Sequence, residues 1–597
     1  MPCRVSFEPL GIHTDCVRGS LLHEAARNTG IALLSACGGN GTCGNCRMKI
    51  VEGTVSSPTA QEYEKLGIQE IEQGYRLACQ TQILENIRVY LPPASLAIDQ
   101  RLSLAGPDSA APFDPLVEEK HLIMQPPLAY DYQADWERLA AGLQSSYGIS
   151  AANPDLTVLQ RLPVLLRENG WRARVSIRKE EVIDVRAPHQ SPLGLALDIG
   201  TSKIAGYLVD MESGTSIGMG GIINPQIAYG EDVIHRISYA MEQGVQQLQK
   251  VVVAGINNLI EKLCSNPQRI VETTVVGNTV MHHLLLGLPV KQLGMAPYTA
   301  AVRCALEVKA RDLNICSAPG AYVYLLPAIA GFIGSDHVAM ILATGIHDTP
   351  KTILGIDIGT NTEIVLAHRG ALWSTSCASG PALEGGNIRC GVRSVAGAIE
   401  RIRLHGSEVI CETVNGARAI GICGSGSIDA VAELFRTNII NSRGQLMSGP
   451  GVRHIGKEKE FILVPAAENG IGEDITITQK DIQAIQLAKA AVRTGIEALL
   501  NNANITSNEI DEVIITGGFG TYIDPASAIA IGMFPHLQRE KFKQVGNAAG
   551  IGARRVLMSK SQRSIAEQIS SRVTYVELMQ HPGFSKTFAR AMYIPGL

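Results

Sequence analysis

Residues 195–203 read LALDIGTSK, and the phrase LDIGTSK at 197–203 recurs as IDIGTNT at 356–362. Each copy begins as an apolar run, reaches the triplet Asp-Ile-Gly, and continues into side chains that can donate hydrogen bonds. A short buried strand followed by a tight turn has this pattern. Two copies in one chain predict that its C-terminal part contains two related halves.

The surroundings of the two copies predict an α/β fold. From residue 191 onward, short strand-like runs alternate with helical stretches, and the runs include LGLALDIG, VETTVVGN, TILGIDIG and DEVIITGG. Such an alternation is typical of sheets covered by helices. We therefore predict a two-lobed α/β domain over 191–597.

The N-terminal part predicts smaller units. Residues 1–94 combine a helical pattern at 21–29, a stretch rich in Gly and Cys at 36–46, and the alternating run NIRVYL at 86–91, which together predict an α+β domain. A region rich in Pro, Ser and Ala predicts a linker over 95–119. Two helical and two strand-like patterns then predict a small α/β middle domain at 120–190, whose role the sequence does not indicate.

Composition restricts the location and the partners. The chain has 597 residues, too many for one core, and its 52 Lys and Arg against 56 Asp and Glu give a net charge of -4. This balance supplies no broad basic surface for nucleic acid or anionic lipid. Because we find neither a membrane-length apolar stretch nor a signal-peptide pattern, we expect a cytoplasmic protein with no nucleic-acid or membrane partner.

Four of the 13 cysteines form a pattern. Three lie in CGGNGTCGNC at 37–46 with the spacing Cys-x5-Cys-x2-Cys, and the fourth lies on a distant segment; they are Cys37, Cys43, Cys46 and Cys79. Four thiolates can hold two bridged irons, and the intervening glycines let the loop amides turn toward sulfur. Structural zinc also takes four Cys, usually as two short Cys-x2-4-Cys pairs. Cys79 has no near Cys neighbour, which favours the iron cluster.

The stretch CGGNGTCGNC, with RLACQ at 76–80, closely resembles the 2Fe-2S ferredoxins, in the variant whose first cysteine spacing is five rather than the plant-type four. The resemblance covers about residues 1–94. It implies a β-grasp-like fold in which the four cysteines hold a 2Fe-2S cluster.

The two repeated phrases also predict phosphate-binding loops. In each, a strand delivers an Asp to its end, a Gly allows the backbone to approach a ligand, and donors follow, which suits phosphate with Mg2+. The first loop supplies Asp198, Gly200, Thr201, Ser202 and Lys203, and the second supplies Asp357, Gly359, Thr360, Asn361 and Thr362. Either copy alone is a weak indication, because a turn of this kind is often only structural.

Together with VIITGGFG at 513–520, the two loops resemble the ATPase superfamily that includes actin, sugar kinases and heat-shock ATPases. The resemblance implies that Asp198 and Asp357 are catalytic carboxylates near Mg2+, that the loop donors grip the phosphates of ATP, and that Gly517 and Gly518 approach the nucleoside. It also implies two closely crossing helices near 335–343 and 546–554. Asn278 and Glu384 are candidates for the lining of the cleft and, equally, for structural turns.

The whole order, a ferredoxin, a linker, a small domain and an ATPase, resembles the reductive activators of corrinoid proteins in methyltransferase systems of anaerobes. The stretches that carry this resemblance include GNTVMHH, GIDIGTNTEI, GPALEGGNIRC and ITGGFG. It implies an ATP-hydrolysing iron-sulfur reductase that returns Co(II) to Co(I) one electron at a time. The implied partners are a corrinoid protein and an electron-donating reductase or ferredoxin, and a homodimer remains open.

The implied reaction has an energetic cost that two cooperating domains can meet. Plant-type 2Fe-2S ferredoxins have potentials near about -400 mV, and moving one electron uphill by about 100 mV costs roughly 2.3 kcal/mol. If docking alters the axial ligation of cobalt, the acceptor potential rises, and ATP turnover would then separate the two proteins.

Two other functions stay open at the level of the residues. A ferredoxin-linked small-molecule kinase would need a substrate-side base in the cleft, for which the sequence offers no decisive residue. A redox adaptor would use a non-hydrolysing ATPase fold as a scaffold. The presence of both Asp198 and Asp357 argues against the adaptor.

Overall fold

The computed structural model describes residues 2–8, 12–29, 31, 33, 37–92, 95, 112–150, 153–230, 232–406, 408–456, 458–518 and 520–595. The linker predicted at 95–119 therefore lies largely outside the described residues. Its described end approaches the C-terminal helices, because the backbone N–H of Asp114 donates to the carbonyl of Met558 over 3.1 Å.

The N-terminal domain is a five-stranded sheet with two helices. Its elements are β1 (Pro2–Glu8), β2 (Ile12–Val17), α1 (Leu22–Asn28), β3 (Arg47–Glu52), α2 (Ala60–Glu72), β4 (Tyr75–Leu77) and β5 (Ile87–Tyr90). The strand order is β2-β1-β5-β3-β4, and the first and last strands of the chain order, β1 and β5, run parallel. Ile87 and Val89 alternate into the core as the sequence pattern predicts. The β-grasp-like fold is confirmed.

A four-stranded sheet with two helices follows. Its elements are β6 (Val117–Ile123), α3 (Asp135–Tyr147), β7 (Asn153–Pro154), α4 (Leu156–Glu168), β8 (Arg172–Arg178) and β9 (Glu181–Arg186), in the order β6-β8-β9-β7. Helix α3 ends at Gly148, which has a φ of 69°, a conformation that favours glycine. Asp155 caps α4 by accepting from the N–H of Thr157 over 3.0 Å. These local signals explain why the helical patterns end where they do.

The first half of the ATPase-like fold is a six-stranded sheet in the order β12-β11-β10-β13-β15-β14. Its elements are β10 (Leu193–Ile199), β11 (Lys203–Asp210), β12 (Ser216–Ile223), α5 (Val233–Gln243), α6 (Gln246–Leu263), β13 (Ile270–Gly277), α7 (Thr279–Leu285), β14 (Leu306–Lys309), β15 (Tyr322–Leu325) and α8 (Ser335–Thr344).

The second half contains a six-stranded sheet in the order β26-β25-β16-β17-β18-β27 and two three-stranded sheets. Its elements are β16 (Ile353–Ile358), β17 (Thr362–His368), β18 (Ala371–Cys377), β19 (Ala398–His405), β20 (Glu408–Thr413), β21 (Gly421–Ile422), α9 (Gly424–Arg436), β22 (Val452–Ile455), β23 (Glu458–Val464), β24 (Ile475–Thr478), α10 (Gln479–Ala503), β25 (Glu512–Thr516), α11 (Pro525–Ala530), β26 (Phe542–Gln544), α12 (Ala548–Met558), α13 (Lys560–Arg572), β27 (Val573–Tyr575) and α14 (Phe584–Ala591).

The two halves share a sheet topology, as the repeated phrase predicts. In the first half, β10 pairs antiparallel with β11 and parallel with β13, and β13 pairs parallel with β15. In the second half, β16 pairs in the same way with β17 and β25, and β25 with β26. A helix follows each of these last strands, α8 after β15 and α12 after β26. The two-lobed α/β fold is confirmed.

Helices α8 and α12 cross with almost no space between their backbones. A Cβ atom at Gly552 would lie 2.2 Å from the carbonyl oxygen of Ala339, so this crossing requires glycine. The crossing helices predicted at 335–343 and 546–554 correspond to α8 and α12. Helix α12 begins at Ala548 because Asn547 caps it, accepting from the N–H of Gly550 over 2.9 Å.

The longest apolar run of the sequence, around residues 328–345, contributes helix α8. Val338, Ala339, Met340 and Ile341 are fully buried in the core between the two halves. Among the described residues, no helix has both the length and the apolar character needed to cross a membrane.

A buried ion-pair network joins three parts of the chain. Glu272 in β13 accepts from Arg178 of the preceding small sheet over 3.1 Å and from Arg563 of α13 over 2.7 Å. The side chain of Glu272 has no solvent exposure, and those of Arg178 and Arg563 are 3% and 6% exposed. The small sheet is therefore fixed to both halves of the larger fold.

Candidate functional site

The four cysteines of the predicted cluster motif lie together. Cys37, Cys46 and Cys79 are buried, and Cys43 is partly buried. The Sγ atoms of Cys46 and Cys79 are 3.4 Å apart, and Cys37 forms thiol hydrogen bonds with Cys43 and Cys79. The structure thus brings together all four sulfur atoms that the spacing indicated, from two segments distant in sequence.

The loop between these cysteines has the backbone that the glycines predict. All four of its glycines have positive φ, between 62° and 101°: Gly38, Gly39, Gly41 and Gly44. The side-chain amide of Gln80 donates to the carbonyl of Gly39 over 3.1 Å, which ties the loop to the segment of the fourth cysteine. Glycine at these positions is what allows the loop to fold around the sulfur atoms.

The thiols are suited to a two-iron cluster. Hydrogen bonding to Cys37, followed by burial, raises the pKa of the Cys43 thiol, whereas hydrogen bonds from its neighbours hold the pKa of Cys37 well below its usual range. Thiolates are the form that ligates iron. Among the described residues, no three His, Cys, Asp or Glu side chains are arranged to hold one metal ion. A two-iron cluster needs no such group, because four thiolates serve two irons.

The two predicted catalytic aspartates occupy equivalent positions in the two halves. Asp198 is the second-last residue of β10, and Asp357 is the second-last residue of β16. In the parallel pairing, Asp198 lies opposite Val276 of β13, and Asp357 lies opposite Thr516 of β25. Both carboxyl groups therefore emerge where the strands of their sheets end, which is where ligands bind in α/β sheets.

The two predicted phosphate-binding loops, at 198–203 and 357–362 and called the phosphate-like loops, meet across the cleft between the halves. The hydroxyl of Ser202 donates to one carboxylate oxygen of Glu384 over 3.0 Å, and the hydroxyl of Thr360 donates to the other over 2.6 Å. The two hydroxyl oxygens are themselves 3.3 Å apart. On the first loop, the side-chain amide of Asn278 donates to the hydroxyl of Thr201 over 3.0 Å. Asn278 and Glu384 thus belong to the cleft as well as to their own turns.

The backbone of the first loop is held from behind by Asn224 and by Arg236 of α5. The side-chain amide of Asn224 donates to the carbonyl of Gly200 over 2.8 Å, and its backbone N–H donates to that of Ser202 over 3.0 Å. The guanidinium of Arg236, fully buried, donates to the carbonyl of Thr201 over 2.5 Å. Three consecutive carbonyls therefore point away from the cleft.

The remaining loop residues have distinct surroundings. Lys203 begins β11, where burial lowers its pKa to about 8, partly offset by the charge of Glu384. The N–H of Gly359 donates to the carbonyl of Asn361 over 3.1 Å, which closes the second loop into a tight turn. The hydroxyl of Thr362 lies 2.9 Å from that of Ser379.

The glycines predicted to approach a nucleoside follow β25. Gly517 has a φ of 94°, and a Cβ atom there would lie 2.6 Å from Oδ1 of Asp357. Beside Gly518 no heavy atom lies within 4 Å of an added Cβ. Position 517 thus requires glycine, because a side chain there would collide with the second loop. Gly518 faces open space.

Four carboxyl groups of the cleft have raised pKa values, and in three of them the charge of a neighbouring carboxylate contributes. Burial raises the pKa of Asp198 to about 6, and the hydrogen bond that Asn547 donates over 2.7 Å partly offsets this. Burial and then the charge of Asp198 raise the pKa of Asp357 to about 7. Burial and the charges of both raise that of Asp336 to about 8, and that of Glu363 also lies well above its usual range. Repulsion between buried carboxylates of this kind favours a bound cation.

The cluster-binding loop touches the first half of the ATPase-like fold. A Cβ atom at Gly38 would lie 2.9 Å from the backbone oxygen of Tyr229. The guanidinium of Arg27 lies 5.5 Å from the centre of the Tyr229 ring. The cysteine loop and the first phosphate-like loop are thus connected through the short segment that contains Asn224 and Tyr229.

Family models match four consecutive stretches of the chain. They describe a 2Fe-2S iron-sulfur cluster binding domain at 5–84, the RACo linker region at 107–191, the RACo middle region at 193–349, and the C-terminal domain of RACo, the ASKHA domain, at 351–597. The chain is 32% identical over 609 residues to the corrinoid activation enzyme RamQ of Eubacterium limosum, an alignment that covers 98% of each protein.

The chain belongs to the family of corrinoid activation enzymes. A solved structure of a reductive activator for corrinoid, iron-sulfur protein superposes with a TM-score of 0.74 and 34% identity, and the match covers 100% of this chain and 98% of that one. The [Co(II) methylated amine-specific corrinoid protein] reductase of Methanosarcina barkeri is 25% identical over 66% of this chain and 75% of its own length.

In this corrinoid activation enzyme, sequence reasoning missed several residues of the cleft. Asp336 lies in the most apolar stretch of the chain, where its charge is the signal that could have identified it. Glu363 directly follows the second repeated phrase and pairs with Asp357 in the sheet register. Asn547 had no local signal, because folding brings it to Asp198 from a distant part of the chain.

Proposed function

We propose that this chain reduces the cobalt of a corrinoid protein from Co(II) to Co(I) by one electron, at the expense of ATP hydrolysis. The observation that carries the proposal is the close approach of Gly38, in the four-cysteine loop, to the backbone oxygen of Tyr229, in the half of the fold that holds the first phosphate-like loop. The relatives described above, which activate or reduce corrinoid proteins, support it.

In this proposal, the four cysteines are the ligands of the 2Fe-2S cluster. When bound, the cluster supplies a one-electron donor with a potential near about -400 mV. The glycine-rich loop holds the sulfur atoms in a buried pocket and turns its amides toward them, which stabilises their negative charge. A separate reductase or ferredoxin delivers the electron to the chain.

The cleft between the halves is proposed to bind ATP with Mg2+. Asp198 and Asp357 would hold the metal or its water ligands, which relieves the repulsion between these two carboxylates. The donors of the two loops would grip the phosphates: Thr201, Ser202, Lys203, Thr360, Asn361 and Thr362. Gly200 and Gly359 permit close approach of the loop backbones, and Gly517 and Gly518 would face the nucleoside.

The acceptor is proposed to be a corrinoid protein of a methyltransferase system, in the cytoplasm. Docking of the activator on that protein would raise the potential of cobalt by altering its axial ligation, and hydrolysis would then release the partner. Electron delivery and release thus belong to different parts of one chain. A homodimer is an alternative to the monomer in this scheme.

We also propose the domain division 1–94, 95–119, 120–190 and 191–597 for a 2Fe-2S ferredoxin domain, a linker, a small α/β middle domain and an actin-like ATPase domain with two related halves. The core of the first unit is drawn from residues between Cys3 and Leu91. That of the small unit is drawn from residues between Leu122 and Val185.

The experiment that tests the function mixes reduced protein, Co(II) corrinoid protein and Mg-ATP without oxygen and follows the visible absorption of Co(I). Asp357→Ala should abolish ATP-dependent Co(I) formation while leaving iron content and cluster reduction by dithionite unchanged. Glu540→Gln, an exposed carboxyl change, is the matched control. Co(I) formation by Asp357→Ala at the parent rate would show that the second loop is structural.

A second variant separates the redox half of the proposal. Cys43→Ala should remove the visible colour and the iron, because three thiolates do not complete the cluster. Cys16→Ala changes a cysteine outside the motif and should keep about two irons and two sulfides per chain. A colourless parent protein that contains one zinc would refute the electron-transfer function.

A further inference from the structure

A short segment lies between the two functional loops and touches both. We call residues 224–230 the seat segment; it consists of Asn224, a 3-10 turn at Pro225–Tyr229, and Gly230. One side of it holds the first phosphate-like loop through the hydrogen bonds of Asn224 to Gly200 and Ser202. These contacts make the seat segment the immediate backing of that loop.

The other side of the seat segment faces the cluster-binding loop. Gly38, the neighbour of the cluster cysteine Cys37, approaches the backbone oxygen of Tyr229 so closely that an added Cβ would lie 2.9 Å from it. The ring of Tyr229 lies under the guanidinium of Arg27 and is itself fixed, because its hydroxyl accepts from the side-chain amide of Gln247 over 2.9 Å. A shift of the turn must therefore move the surface on which the cysteine loop sits.

Arg236 makes the connection rigid. Its guanidinium donates to the carbonyl of Thr201 in the phosphate-like loop over 2.5 Å, to that of Gly230 over 2.8 Å, and to the side-chain oxygen of Gln226 over 3.2 Å. Arg236 and Gln226 are fully buried. One planar cation thus binds both the loop and the seat segment, and its pre-organised fork loses less freedom per hydrogen bond than a flexible Lys donor would.

We propose that Arg236 and the seat segment are positioning elements for the electron transfer, through which the nucleotide on the first loop sets how the cluster-binding loop docks on the ATPase half. This inference rests on the proposed ATP site. A nucleotide that engages the N–H groups of Gly200 to Ser202 moves their carbonyls, and Asn224 and Arg236 carry that movement to Tyr229 and Gly38. The cluster is thereby held differently in the ATP-bound and the nucleotide-free protein.

The test uses the full-length protein with its cluster and measures amide hydrogen exchange at residues 37–46 and 224–230. Each sample is compared without nucleotide and with a saturating non-hydrolysable ATP analogue and Mg2+. The midpoint potential of the cluster is measured in parallel, since a merely structural role would not make it depend on nucleotide. The variants are Arg236→Lys, which cannot reach all of its carbonyls at once, and Arg27→Ala. Arg88→Ala, an exposed arginine on β5 of the same domain as Arg27, is the control.

In the parent protein and in Arg88→Ala, the analogue should change exchange at 37–46 and 224–230 together and should shift the potential. In Arg236→Lys, saturating analogue should leave residues 37–46 and the potential unchanged. In Arg27→Ala without nucleotide, residues 37–46 should exchange about two- to fivefold faster, as expected for one exposed cation–π contact. If Arg236→Lys does not fold, Arg27→Ala alone tests the inference. A nucleotide response of Arg27→Ala at 37–46 as large as that of the parent protein would then overturn it.

The inference and the proposed function fail in different ways. A parent protein that binds the analogue and forms Co(I), yet shows no nucleotide response at 37–46 or in the potential, overturns only the positioning role. A full response in Arg236→Lys also overturns it. A parent protein that binds no ATP overturns the proposed function, and the positioning role with it.

Discussion

At the scale of single residues, the carboxyl group of Asp357, a proposed catalytic residue, lowers the stability of the nucleotide-free protein when it is ionised. Burial and the charge of Asp198 raise its pKa from 3.8 to about 7. A carboxyl whose folded pKa is raised favours the fold while it is protonated, and this contribution is lost as the pH rises through the folded pKa. The nucleotide-free protein therefore loses stability through Asp357 between about pH 4 and pH 7.

Asp357→Asn should consequently raise the melting temperature of the nucleotide-free protein strongly at about pH 8.5 and by roughly half as much at about pH 5.5, which lies midway through the range over which the contribution is lost. Thermal unfolding at several pH values measures this difference. Glu540→Gln, at an exposed position, should show no such trend. A difference between Asp357→Asn and the parent that is the same at both pH values would contradict the electrostatic account of the cleft.

The sequence could indicate a residue of the cleft only where the pattern that marks it consists of neighbours in the chain. The strand-turn phrase placed Asp198 and Asp357 correctly at the ends of β10 and β16, because the apolar run, the carboxyl and the glycine are neighbours in the chain. Asn547, at the start of α12, donates to Asp198, and Asp336 of α8 lies where the charges of Asp198 and Asp357 raise its pKa. Only the assembled fold brings them there, so no local pattern predicts their role.

At the scale of elements, the crossing of α8 and α12 depends on one missing side chain. Gly552→Ala would place a Cβ 2.2 Å from the oxygen and 2.7 Å from the Cα of Ala339, and both are backbone atoms that cannot rotate away. The helices must then separate.

We expect Gly552→Ala to cost about 1–3 kcal/mol of stability, as overpacking does, and to slow ATP-dependent Co(I) formation with unchanged iron content. Urea unfolding followed by circular dichroism measures the stability. Gly449→Ala is the control, because its added Cβ meets no atom within 4 Å. Equal unfolding midpoints for the two variants would mean that the helices can separate freely.

Helix boundaries could be predicted from the sequence where a capping residue and the apolar periodicity indicate the same end. Helix α4 begins after its cap Asp155, and α3 ends at Gly148, as turn and cap signals predict. The contact of Gly38 with Tyr229 could not be predicted in this way, because it joins two domains whose surfaces carry no pattern for one another.

At the scale of the whole molecule, Glu272 joins the small sheet, the first half and helix α13. Glu272→Gln leaves the buried Arg563 without its carboxylate and leaves Arg178 with Glu307 alone, which should cost about 3–5 kcal/mol. The midpoint of urea unfolding measures the loss. Glu118→Gln, which removes an exposed pair with Lys120, should cost less than about 1 kcal/mol. Similar midpoints for the two variants would show that the network does not hold the three parts together.

The N-terminal domain should fold without the rest of the chain. Among the described residues, its core cluster is drawn from residues between Cys3 and Leu91, and the four cluster cysteines lie in the same stretch of the chain. A fragment of residues 1–94 should therefore bind about two irons, accept one electron from dithionite and lack ATPase activity. Iron analysis and anaerobic titration check this. A fragment that loses the cluster while the full chain keeps it would place the domain boundary elsewhere.

The carboxylate of Glu384 has a consequence for how the cleft selects its ligand. Its two oxygens already accept from the hydroxyl groups of Ser202 and Thr360, one from each loop. If those hydroxyls grip phosphate, the incoming anion must replace one that the protein itself supplies. The measured free energy of phosphate binding is then the difference between what the hydroxyl groups gain from phosphate and what they lose by releasing the Glu384 carboxylate. A single phosphate offers little advantage over the resident carboxylate, whereas a triphosphate that spans both loops exchanges one internal ligand for several contacts.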